Sequence, residues 1–147
     1  MTVENNNHTD ALGNLEKVLG EVEAVVNETS RDPRSVSLVA VSKTHSAEVI
    51  RPILRAGQRL FGENRVQEAE GKWPELKHDY PDVRLHLIGP LQSNKVRQAL
   101  VLFNVIETVD RPKLAQTLAR VMEETGNSAD IMIQVNTGEE EQKAGVL

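Results

Sequence analysis

Apolar positions along this chain follow two rhythms in turn. Leu12, Leu15, Leu19, Val22 and Val26 step by three and four, the spacing of one helical face. The polar stretch from Asn27 and then Pro33 end that pattern, because proline cannot continue a helix. Residues 10–29 are therefore expected to form an amphipathic helix packed outside whatever follows. The pattern is too short to favour a coiled-coil arm. Residues 1–9 are polar and are read as a disordered N-terminus.

The second rhythm is an alternation. SVSLVAVS (35–42), RLFG (59–62), RLHLIG (84–89), VIETV (105–109) and DIMIQVN (130–136) are apolar runs of strand type. Between them, Val49, Ile50, Ile53 and Leu54 share a helical face, as do Val96, Ala99, Leu100 and Phe103, and Leu114, Leu118, Val121 and Met122. Gly71 and Pro74 weaken the helical pattern over 65–77, and Pro52 is expected to kink or delay its helix. The strands start near residues 35, 59, 84, 105 and 130, at steps of 24, 25, 21 and 25. Such repetition predicts βα units on a parallel sheet. Covered on both faces, parallel strands read as continuous apolar runs rather than alternating ones. The even spacing, without a long crossover, favours a TIM-type (β/α) barrel over a doubly wound sheet, with βα units one to five spanning 35–147.

Composition narrows the function. The 147 residues suit about one domain, and 39% hydrophobic with 27% charged residues is ordinary for a globular chain. A net charge of −5 argues against nucleic acid as a partner, which calls for a basic face. Cysteine is absent, which removes thiolate nucleophiles and cysteine zinc sites. His8, His45, His78 and His86 are scattered without metal-ligand spacing, so no metal site is expected. The first residues lack the apolar core of a signal peptide, and no run approaches the ~18 apolar residues of a membrane span. A cytoplasmic location, away from membranes, is the expectation.

In a parallel βα fold the strand-to-helix junctions gather at one end, where binding sites form. Ser46, Asn64, Ser93 and Asp110 stand where helix N-caps belong, and Asn64 with Gln67 has the spacing of a capping box. Lys43 ends the first apolar run. Partial burial at a barrel mouth would favour its neutral amine, the nucleophile that Schiff-base formation needs. The plainer alternative is a lysine reaching water. Glu63, Asn64 and Gln67 crowd polar groups after Gly62. His86 lies within the third strand, where a hydrogen-bonded core histidine is the alternative to a catalytic base. Gly89-Pro90 makes a turn. Gln134 and Asn136 end the fifth strand with two amides, and the acidic run Glu139, Glu140 and Glu141 reads as a solvated loop.

Four of these segments, VAVSKTH (39–45), FGENRVQEAEGKW (61–73), LHLIGPLQSNKVR (85–97) and IQVNTGEEEQKAGV (133–146), together and in this order resemble the pyridoxal 5′-phosphate (PLP) homeostasis proteins. The resemblance runs from about residue 10 to the last. It implies a fold-type III barrel like the N-terminal domain of alanine racemase. It also implies PLP held as a Schiff base on Lys43, with Asn64 beside the cofactor. His86, Gly89 and Asn136, from the third and fifth strands, are the further residues expected in the cofactor site. Members of that family are thought to buffer or deliver PLP without turnover, with PLP-dependent apoenzymes as acceptors.

A full barrel has eight strands and typically about 250 residues. Five strands here imply a chain truncated relative to the family, without its later phosphate-binding motifs. A complete member would be a monomer, whereas open edges favour self-association. The alternatives are a PLP-dependent racemase or decarboxylase, a cofactor-free lysine aldolase, and a shortened chain with no function of its own. A racemase needs a second acid/base. The only tyrosine, Tyr80, lies in the polar stretch KHDYPD between elements.

Overall fold

The computed structural model describes residues 6–147. Helix α1 runs Asn6–Glu28, so it starts earlier than the periodicity predicts; residues 1–5 of the segment read as disordered lie outside the described residues. Leu12, Leu15, Val22 and Val26 form its less exposed side, and it packs on α2 (Ala47–Arg55) and on a 3-10 turn at Pro33–Ser35. Pro52 falls inside α2. There it removes the bond to the carbonyl four residues back, and the helix ends three residues later.

Five strands follow: β1 (Ala40–Val41), β2 (Leu60–Glu63), β3 (Arg84–Leu87), β4 (Val105–Val109) and β5 (Asp130–Ile133). All neighbouring pairs are parallel, and the sheet order is the chain order, β1-β2-β3-β4-β5. That is the order of a barrel wall; in a doubly wound sheet the order reverses at a switch point. The expected helix over 65–77 is two pieces, α3 (Val66–Glu70) and α4 (Trp73–Asp79), with Gly71 at the break and Pro74 in the first turn of α4. Helices α5 (Val96–Leu102) and α6 (Pro112–Thr125) complete the series.

One apolar cluster joins alternate strand residues, Phe61, Leu85, Leu87 and Ile106, to the inward faces of α2 through α6, including Leu54, Trp73, Leu76, Leu100 and Leu118. The other set of alternate residues, Val41, Gly62, His86 and Val105, forms a row across the sheet. A Cβ at Gly62 would lie 3.0 Å from Ile88 Cδ1 and 3.3 Å from Val39 Cγ1, so Val39 and Ile88 share that second face. It is the inner wall of the barrel, and it is partly open: Val41 is 50% exposed. Strand β5 is exposed along its length, Ile133 to 69%.

Candidate functional site

The strands end at one rim, and Lys43 stands there, two residues beyond Val41. Side chains alternate along a strand; Ser42 continues the pairing to Gly62, and carrying the alternation one step further, to the start of the turn 42–45, assigns Lys43 the inner-wall parity of Val39 and Val41. Its side chain is exposed rather than partly buried. The expected burial fails because β1 is an edge strand, only two residues long, on the open side of the wall.

The turn carrying Lys43 is held from the helix side. Ser42 has the opposite parity and is buried; its Oγ donates to Glu63 Oε1 at 2.6 Å. Glu63, 0% exposed, also accepts from Trp73 Nε1 at 2.9 Å and lies 3.0 Å from Lys72 Nζ. The Lys72 ammonium donates to the Ser42 carbonyl (2.9 Å), the His45 carbonyl (2.9 Å) and Glu68 Oε1 (3.0 Å). Glu68 in turn accepts the Thr44 backbone N–H. Thr44 has φ of 65°, a left-handed conformation that is an outlier for a β-branched residue.

Asn64 shares the inner-wall parity of Gly62, and its backbone is pressed against Gly89. A Cβ at Gly89 would come within 2.2 Å of the Asn64 carbonyl oxygen, so only glycine fits this crossing of two rim loops. The Thr108 hydroxyl fixes the Gly89 carbonyl from the next strand at 2.7 Å. Between the same loops opens a cavity of about 580 Å³ lined by Asn64, Arg65, Gln67, Pro90, Gln92 and Lys95. Lys43 is not part of its lining.

His86 projects from the middle of the inner wall, 7% exposed, with Nδ1 2.6 Å from Glu107 Oε1. An ionised carboxylate only accepts, so Nδ1 carries the proton. That leaves Nε2 buried and without a partner among the described residues. Asn136 lies farther along the rim. Its side-chain amide donates to the Glu140 carbonyl at 2.8 Å, its Oδ1 accepts from the Glu140 N–H, and its backbone N–H bonds the Val146 carbonyl. The acidic loop is thus folded around Asn136.

The predicted caps fare unevenly. Ser46 is the N-cap of α2, but its hydroxyl makes no bond to a helix N–H. The other three positions shift by one residue: Arg65 caps α3, Gln92 precedes the 3-10 turn Ser93–Lys95, and Arg111 caps α6. The Asn64–Gln67 capping box does not form: α3 starts at Val66, so Arg65 takes the N-cap position and Asn64 lies in the bend between β2 and the helix. The roles of Glu63, Glu68, Lys72 and Glu107 were not read from sequence. The spacing of Glu68 and Lys72, four apart on a helical segment, was the available signal, though it does not reveal the carbonyls 27 and 30 residues earlier in the chain.

A pH dependence follows from this geometry. The Thr44 N–H, and then the Lys72 ammonium, hold the Glu68 carboxyl below its ordinary value of 4.5. A depressed carboxyl stabilises the fold fully above its unfolded value and loses that contribution as pH falls through the folded one. The turn at 42–45 is therefore expected to be unaffected between pH 6 and 8 and to loosen below about pH 4.5. The Thr44 amide resonance should report a titration midpoint below the ordinary glutamate value of 4.5; a midpoint at or above it would contradict the assignment.

Among the described residues no helix is long and apolar enough to cross a membrane. Comparison with known proteins gives consistent results. A pyridoxal phosphate homeostasis protein of Vibrio alginolyticus is 41% identical over 135 residues, covering 90% of this chain and 58% of the relative. One of Escherichia coli is 36% identical over 138 residues, covering 93% and 59%. The chain thus spans under two thirds of the length of these relatives. Among solved structures, PipY of Synechococcus elongatus with PLP bound superposes with a TM-score of 0.71 at 45% identity, over 86% of this chain and 57% of that one. A Bifidobacterium adolescentis protein of unknown function superposes with a TM-score of 0.89 at 29% identity, over 99% and 62%. Parallel strands in chain order, a lysine at the rim of β1 and a match over residues 18–147 to the family described as alanine racemase, N-terminal domain, agree, and the chain belongs to that family.

Proposed function

We propose that this chain binds PLP as a Schiff base on Lys43 and serves intracellular PLP homeostasis as a carrier without turnover. The observation that carries this reading is the placement of Lys43: an exposed amine on inner-wall parity at the carboxyl end of β1. The similarity to PipY, which was solved with PLP bound, supports the choice of cofactor. Condensation with the cofactor's aldehyde joins the lysine nitrogen to the aldehyde carbon and releases one water, whose two hydrogens come from the neutral amine.

The residues present fit such a group. His86 offers Nε2, a buried nitrogen lacking a partner, toward the inner wall, and Glu107 fixes its tautomer. Asn64 supplies an amide at the adjacent rim position. Gly89 keeps that loop close to the next one, and Asn136 closes the far side of the mouth through the loop it organises. PLP-dependent apoenzymes are the proposed acceptors. Absence of turnover is supported by the position of Tyr80. It ends α4 beneath the Arg59 guanidinium, 5.4 Å from its ring centre, near the amino ends of β2 and β3 and opposite the rim that holds Lys43. No second acid/base faces Lys43 from that side chain.

An absorbance titration of the purified chain with PLP tests the reading. A protein-bound band displaced from that of free PLP is expected, together with no turnover of alanine, lysine or ornithine above a Lys43→Ala control. A spectrum that is the sum of free PLP and protein at every ratio would overturn it.

A further inference from the structure

The segment FGENRVQEAEGKW (61–73) contributes one residue, Asn64, to the proposed cofactor site. Three of its other polar residues converge elsewhere. Glu63, Glu68 and Lys72 meet on the helix side of the turn that carries Lys43, behind the sheet from the inner wall. Lys72 is nearly buried, its side chain 9% exposed. A lysine so placed needs compensation for its lost water. It finds two carboxylates and two backbone carbonyls, and those carbonyls belong to Ser42 and His45, which bracket Lys43 and Thr44. A backbone held at both ends and at the Thr44 N–H has little freedom left.

The strain at Thr44 gives this arrangement its meaning. A threonine in the left-handed region persists only where surrounding contacts over-determine it. Here those contacts are the Glu68 carboxylate on its N–H and the Lys72 ammonium on the carbonyls to either side, added to the His45 N–H bond to the Ser42 carbonyl that closes the turn. Released from them, residues 43 and 44 would relax toward ordinary extended or helical backbone, and the Lys43 side chain would leave inner-wall parity.

We propose that Lys72, seconded by Glu68, is a positioning residue for Lys43: it holds the strained 42–45 turn from the opposite side of the sheet so that the Lys43 amine stays on the inner wall. This inference rests on the Lys43 reading for its functional consequence. The mechanical claim, that Lys72 and Glu68 hold the turn, stands on the hydrogen bonds alone.

The experiment separates the two. Amide hydrogen exchange of the cofactor-free full chain is compared with that of Lys72→Met, Glu68→Ala and a core variant remote from the turn, Leu118→Ala. Exchange at Thr44 and His45 is expected to accelerate about tenfold or more in the first two variants, beyond any change in the sheet. Leu118→Ala should raise exchange without singling out these amides. In parallel, PLP with borohydride is used to measure the rate at which Lys43 is labelled, across pH 6 to 9. Lys72→Met should label several-fold more slowly than Leu118→Ala at every pH. Uniform exchange changes in both turn variants would overturn the positioning claim. Local acceleration at Thr44 with PLP label arriving at another lysine would uphold the mechanical claim and remove the Lys43 reading instead. Should Lys72→Met fail to fold, Glu68→Ala carries the same comparison.

Discussion

Lys43→Ala is expected to abolish covalent retention of PLP while leaving the fold intact. After borohydride reduction, the unaltered chain should carry its pyridoxyl label on the peptide containing Lys43, and the variant should carry none there. Other lysines supply an internal comparison. Lys72 is committed to four oxygen atoms, and Lys77 is half-buried, donating to the Leu102 carbonyl and to Asn104. Lys95 and Lys143 are the competitors, the first because it lines the rim cavity. Label found mainly on either would sink the assignment. The fold should survive, because the Lys43 side chain is exposed and takes part in no hydrogen bond or ion pair among the described residues. Exposed substitutions away from special features typically shift stability within about 0.5 kcal/mol. Thermal unfolding of the variant should therefore overlay that of the unaltered chain to within about 2 °C.

The opposite pattern is expected at Trp73. Its ring is fully buried, tilted 55° against Phe61 with centroids 5.0 Å apart, and its indole N–H donates to Glu63. Trp73→Ala removes the ring contacts, leaves a cavity under α4 and strips Glu63 of one of the donors that make its burial tolerable. Large-to-small changes of this kind cost roughly 3–5 kcal/mol, which for a domain of this size lowers the melting temperature by on the order of 10 °C. Trp73→Phe separates the contributions: most of the ring packing is kept, and what is lost is one hydrogen bond to the Glu63 carboxylate, whose Oε1 keeps Ser42 and Lys72, at about 1.5–3 kcal/mol. Circular dichroism is the appropriate probe, since Trp73 is the chain's single tryptophan. A Trp73→Ala melt within about 1 kcal/mol of the unaltered chain would show that α4 is anchored some other way.

These two residues mark what could be read in advance and what could not. The rim position of Lys43 was legible because an apolar run followed by a lysine is a local pattern, and the run's end fixes the rim. Strand β4 was placed residue for residue over 105–109. The run 35–42 overstated β1, because apolar composition does not say which residues find a pairing partner; on an edge strand only Ala40 and Val41 do. The caps at Asn64, Ser93 and Asp110 were misplaced by a single residue; at Asp110 the reason is visible, since its carboxylate is taken by Arg111 and is not free to cap. Glu63 reads from sequence as a polar rim residue, yet strand parity turns it to the helix side, into full burial. The contacts of Lys72 with residues 27 and 30 positions earlier exist only after two βα units have closed on each other, and no local pattern encodes them.

The identity of sheet order and chain order has a kinetic consequence. Each strand pairs with the strand formed just before it, over a connection of some 20 residues. Closing such loops carries a modest entropic penalty that grows only slowly with length, and short sequence separations favour rapid folding. As the chain leaves the ribosome, β2 can dock on β1 once α3 and α4 have emerged, and that same step brings Lys72 onto the Ser42 and His45 carbonyls. The turn bearing Lys43 can thus take its final shape cotranslationally, before β4 and β5 have left the ribosome.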